Sequence, residues 1–148
     1  MVGLTDPSSN LEGCSGNPDQ SSRVQAVVNV FGPTDMAFCH KKSSVDWIFR
    51  LFMGGTPDEA PERHKTASPI SYVSKDDPPL MMNYGNDMTL PSKDAGHGIH
   101  HPVYGVKMKE KCDKVGMECH LFIKGVSKSE KYPTQNDFIL GILGVRKC

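Results

Sequence analysis

The chain has 148 residues, enough for one domain, and its 17 basic and 17 acidic side chains cancel. That balance removes the bulk-charge argument for a nucleic-acid or anionic-membrane partner. Fourteen glycines and eleven prolines exceed the usual share of about 12% for the two together, which describes a loop-rich globular chain and excludes a bundle or a coiled coil. The longest apolar run, Phe138 to Val145, falls far short of the ~20 residues that cross a bilayer. The start, Met1 to Pro7, has neither a basic patch nor an apolar block, so no signal peptide is visible. Five cysteines at positions 14, 39, 112, 119 and 148 are odd in number and scattered. That pattern fits free thiols in a reducing, cytoplasm-like compartment better than a disulfide framework.

Residues 1–22 are turn-rich and read as loop. Val24 to Phe31 is β-branched, nearly continuous in apolar character and stopped by Gly32-Pro33, the pattern of a buried parallel strand. Thr34-Asp35 offers a helix cap. Trp47 to Met53, preceded by Ser44-Val45-Asp46 and closed by Gly54-Gly55, predicts a short helix whose apolar ring implies burial on more than one side. Thr56-Pro57-Asp58-Glu59 predicts a second helix, running to about Thr66. Asp76-Asp77-Pro78-Pro79 turns the chain into a second strand, Leu80–Tyr84. A loop rich in Gly and His follows to Pro102. Val103 to Val115 reads as a helix with Tyr104, Met108, Lys111 or Cys112, and Val115 on one face, Lys107, Lys109 and Lys114 facing away, and Gly116 as its cap. Met117 to Ile123 is a third strand, and Asp137 to Val145 a terminal helix weakened by Gly141 and Gly144. The alternation of strands and helices predicts an α/β fold with a mostly parallel sheet and right-handed crossovers. Three strands with few helices to cover them imply membership of a larger sheet.

A more specific likeness lies in Asn17 to Val28, Phe31-Gly32-Pro33-Thr34-Asp35, Ala67 to Val73 and Asp76-Asp77-Pro78-Pro79. In this order they resemble the second half of an α/β-hydrolase of the esterase/lipase group, of the feruloyl- or acetyl-esterase-like kind. The resemblance implies a Ser-His-Asp triad, an acyl-enzyme mechanism, a small-molecule ester substrate and no cofactor. It also implies that residues 1–148 are a partial domain, because no G-x-S-x-G nucleophile elbow occurs in the sequence. On that basis the chain alone is expected not to catalyse. An exposed strand edge is expected to drive self-association or to require a partner.

The resemblance places the triad acid just after the second strand, where Asp87 stands in Tyr84-Gly85-Asn86-Asp87; a turn Asp bonding its own backbone is the plainer alternative. It places the base in the loop after the third strand, but Lys124 to Pro133 holds no histidine. His97, His100 and His101 are the substitutes within reach of sequence argument. The same three with Asp87 or Asp94 are suitable zinc ligand types, although H-x-x-H-H matches no strong metal template. Cys119 and His120 add nothing to such a site, since neighbours on a strand face opposite ways. Cys112 and Cys119 are either a bridge or two free thiols. Trp47, Phe49 and Phe52 either line an acyl or aryl pocket or pack the core. The alternative to an ester hydrolase is a non-catalytic remnant of the same fold, serving as a binding module.

Overall fold

The computed structural model describes residues 3–5, 11, 16–17, 19–38 and 46–145. Cys14, Cys39, Cys148 and the Ser44-Val45 helix start lie outside these residues, as does the Phe49 side chain.

Three strands form one sheet in the order β1 (Val27–Val30), β2 (Leu80–Tyr84), β3 (Cys119–Ile123), and both pairings are parallel. Leu80 pairs with Val27 on one side and Cys119 on the other, so β2 is central. A central parallel strand must be apolar on both faces, and that is why Leu80-Met81-Met82 reads as an unbroken run. Leu80, Met82 and Tyr84 point into the main core with Tyr104, Met108, Cys112, Met117 and Ile123. Met81 is equally buried but stands on the opposite face. Asn83, two residues on, reaches Gln135 on that same face at 3.2 Å.

The helices in chain order are α1 (Asp46–Met53), α2 (Pro61–Ala67), α3 (Ala95–Ile99), α4 (Val103–Val115) and α5 (Gln135–Ile142), with a 3-10 turn over Pro69–Tyr72. The crossover α4 connects β2 to β3 and buries Tyr104, Gly105, Met108 and Cys112, the face expected from their spacing. Gly116 ends it at φ 80°, donating to the Asp113 and Cys112 carbonyls. Asp35 caps residues 36–38 by accepting from the Phe38 N–H at 2.9 Å.

Five expectations change. The first turn of the second predicted helix does form: Glu59 accepts from the Thr56 N–H and Thr56 Oγ1 from the Glu59 N–H. It stops there because Pro61 has no N–H to continue it, and α2 restarts with Pro61 in its first turn. The Gly-His stretch holds a helix, α3, because Asp94 accepts from the His97 N–H and outweighs two helical glycines. Helix α5 begins two residues early, since Thr134 and Asp137 form a reciprocal capping box. Lys107 does not face away from the chain; it pairs with Asp35 at 2.9 Å and lies over the Phe38 ring. Helix α1 is not buried on more than one side. Ile48 packs on the core and Met53 is buried, while Trp47 is 65% and Phe52 82% exposed. Among its described side chains the eight-residue helix meets the core through Ile48 and Met53 only, and no other described element covers Trp47, Leu51 or Phe52.

Candidate functional site

In a parallel sheet, sites form beyond the carboxyl ends of the strands. Here the chain leaves β1 through Phe31, a non-glycine residue at φ 57°, and leaves β2 through Gly85-Asn86-Asp87. Backbone held in the left-handed region at a strand end is characteristic of functional geometry. Beneath it, Tyr84 donates its hydroxyl to the Gly32 carbonyl at 2.6 Å and accepts from Asn29 Nδ2. This couples the two exits.

Asp87 makes a turn with its own backbone: Oδ1 accepts from the Thr89 N–H at 3.1 Å. Its other oxygen accepts from Lys93 Nζ at 2.6 Å. These bonds, that of Lys93 foremost, hold the carboxyl well below the usual carboxylate range. Sequence reasoning missed Lys93 and Thr89, because an ion pair spanning six residues of loop leaves no periodic signal.

The three histidines are placed differently although they occupy five consecutive positions. His97 accepts the Lys93 N–H at Nδ1 and donates from Nε2 to the Asp87 main-chain oxygen at 2.9 Å. Its Nε2 stands 3.8 Å from Asp87 Oδ1, too far for a hydrogen bond to the carboxylate. His101 stacks on His97 with centroids 4.8 Å apart. It accepts the Val103 N–H at Nδ1 and donates from Nε2 to the Thr89 carbonyl. Both rings therefore spend both nitrogens on the backbone of the 87–103 segment. His100 is exposed and donates from Nδ1 to the Phe31 carbonyl at 2.7 Å. Its Nε2 has no hydrogen-bond partner among the described residues.

Burial pushes the His101 imidazolium down from its ordinary value of 6.5. The folded chain thus favours neutral His101. Its contribution to stability is complete above the unfolded value and is lost as pH falls through the lower folded one. Thermal unfolding followed from about pH 7 to about pH 5 is expected to show a falling midpoint that flattens in His101→Gln. An unchanged slope in that variant assigns the pH dependence to another group.

The remaining candidates resolve as follows. No three His, Cys, Asp or Glu side chains converge as metal ligands among the described residues. Cys112 and Cys119 are free, buried thiols. Their mutual hydrogen bond and burial push Cys119 far above its ordinary value. Trp47 and Phe52 are exposed rather than packed in the core. Phe52 borders a shallow groove of about 400 Å³ with Arg63 and Thr66. Among the described residues no helix is long and apolar enough to cross a membrane.

A parallel three-stranded sheet flanked by helices matches the fold of the α/β-hydrolases. The family model BD-FAE matches residues 1–97, and the chain belongs to that family. A truncated form of a carbohydrate esterase from gut microbiota is 28% identical, with a TM-score of 0.62 over 82% of this chain and 45% of that one. The bifunctional GH43-CE of Bacteroides eggerthii is 25% identical, with a TM-score of 0.62 over 97% of this chain and 20% of that one. The propionate-bound esterase Est2 of Thermogutta terrifontis shares the fold at 16% identity, with a TM-score of 0.52 over 91% of this chain and 48% of that one. The chain spans less than half the length of each of these structures. No curated protein matches it. By family, then, the resemblance is to carboxylic ester hydrolases.

Proposed function

We propose that these residues belong to a carboxylic ester hydrolase of the acyl-enzyme type, acting on an ester of a carbohydrate, with Asp87 as the anion of its triad. The observation that supports this is the position and charge of Asp87. It follows the carboxyl end of the central strand and is held ionised by Lys93 and Thr89, and a triad acid must stay ionised throughout the reaction. Of the three substitute bases, His100 alone leaves a ring nitrogen available for a proton, and the Phe31 carbonyl rather than Asp87 holds its other nitrogen. The 148 residues contain no G-x-S-x-G, so by themselves they do not sustain turnover. The purified chain is expected to release p-nitrophenolate from p-nitrophenyl acetate in the steady state no faster than buffer. Sustained turnover abolished by a serine-directed phosphonate overturns this.

A second reading, a non-catalytic binding module, is favoured by the partners of the Asp87 carboxylate: Lys93 and the Thr89 N–H take its hydrogen bonds, while the nearest imidazole, His97, stands 3.8 Å away. Calorimetric titration of the chain with an acetylated oligosaccharide tests this reading: binding heat is expected, and its absence overturns it.

A further inference from the structure

We propose that Ser129 is an acyl-accepting nucleophile activated by His120, with Glu118 as its positioning residue, at a site distinct from the carboxyl ends of β1 and β2. His120 faces away from Cys119 on β3, toward α5. The loop after the strand folds back on it: the Ile123 N–H donates to the Ser127 carbonyl and Ser127 Oγ to the Leu121 carbonyl, both at 3.1 Å. This return brings Ser129 Oγ to 2.9 Å from His120 Nδ1. The other ring nitrogen, Nε2, lies 3.0 Å from Glu118 Oε1, which also accepts from Lys131 Nζ at 2.7 Å.

The three side chains fix the protons. Lys131, and more weakly His120, hold Glu118 below its ordinary value, so it is a carboxylate and can only accept. Nε2 therefore carries the ring hydrogen, and the Nδ1 lone pair faces the Ser129 hydroxyl. Hydroxyl, imidazole and carboxylate stand in series, with the ring reversed from the commoner order. Such constellations are recognised by geometry and role rather than by sequence position. The ring cannot swing, because Tyr132 and Phe138 meet it edge-on at 5.0 and 5.8 Å. Directly before Ser129 in the chain, Gly125, Val126, Ser127 and Lys128 line an open depression of about 300 Å³.

In the reaction, Oγ bonds to the ester carbonyl carbon as its proton passes to Nδ1. Collapse of the tetrahedral adduct breaks the ester C–O bond, and the leaving oxygen takes that proton. Water repeats the sequence to free the acid. The Tyr132 N–H is already donated to Ser129 Oγ at 3.1 Å, so it is not free for the developing oxyanion. A missing donor of that kind costs about 10²–10³ in rate. The expected signature is a burst of one p-nitrophenolate per chain followed by release no faster than buffer, because deacylation lacks the same donor. Burst and steady state are separate readouts, so this proposal stands or falls independently of the strand-end site.

The test is labelling of the whole chain with a fluorophosphonate, followed by peptide mapping. One adduct is expected, on Ser129, absent in Ser129→Ala. The labelling rate is expected to fall by about 10²-fold or more in His120→Gln. In Glu118→Gln it falls by about 10-fold with native circular dichroism, and Glu118→Asp restores part of it, which a merely structural carboxylate would not cause. An adduct on another serine, no adduct on a chain with native circular dichroism, or an undiminished rate in His120→Gln overturns the proposal. If His120→Gln does not fold, Glu118→Gln decides: unchanged labelling overturns it.

Discussion

Replacing Gly105 with valine is expected to abolish the cooperative unfolding transition of the chain. Gly105 lies on the face of α4 that meets the sheet. A Cβ there would stand 2.5 Å from Tyr84 Cε2 and 2.7 Å from Leu121 Cδ1, so β2 and β3 crowd it from both sides. Tyr84 has no easy retreat, since its hydroxyl is tied to Gly32 and Asn29. Alanine would gain about 1 kcal/mol in helix propensity, but overpacking a tight core costs about 1–3 kcal/mol. Valine places two further methyl groups in the same gap, and a loss above about 3 kcal/mol is a large part of a total stability of about 5–15 kcal/mol. Urea titration followed by circular dichroism measures it. A valine variant as stable as the parent would mean that α4 does not approach the sheet at this glycine.

The same close approach shows which parts of the fold were legible in the sequence. Strand β2 announces itself because a doubly covered strand must be apolar throughout and Pro-Pro and Gly-Asn bracket it. Helix α4 does so because Tyr104, Met108 and Cys112 recur on one face and Gly116 ends it. What escaped depends on single side-chain bonds. Gly96 and Gly98 speak against a helix, yet the Asp94 cap forms α3. Thr134 looks like a loop residue until its bond to the Asp137 N–H starts α5. At the site, the position of Asp87 follows from the end of a strand, but its partners do not, because Lys93 reaches it only after the loop has closed. His100 and His101 are adjacent and chemically identical in sequence. They diverge because the start of α4 buries His101 while His100 stays at the surface. The pairing of Ser129 with His120 needs a loop to fold back across nine residues, and no local pattern encodes that return.

Phe138→Ala is expected to cost about 3–5 kcal/mol, the range for truncating a fully buried aromatic ring. Phe138 has no exposed surface and meets the Tyr132 ring at 5.3 Å and the His120 ring at 5.8 Å, both edge-on. Tyr132 in turn lies against Gly141, where a Cβ would come within 2.7 Å of its ring, so α5 closes on this trio at both ends. An eight-residue helix is too short to persist alone, and its capping box contributes only about 1 kcal/mol. Phe138 is the buried residue of α5, and beside it the Asn83–Gln135 hydrogen bond and the Tyr132–Gly141 contact tie the helix to the sheet only at its two ends. Two readouts should move together. Hydrogen exchange of the α5 amides is expected to accelerate more than that of α4. Phosphonate labelling of Ser129 is expected to slow, because His120 loses the ring that fixes its plane. Leu143→Ala serves as the control: Leu143 is 55% exposed just beyond the helix, and its loss should stay within about 0.5 kcal/mol. Equal effects from the two substitutions would show that α5 is not held by Phe138, and that Tyr132, Ser129 and Glu118 orient the His120 ring without it.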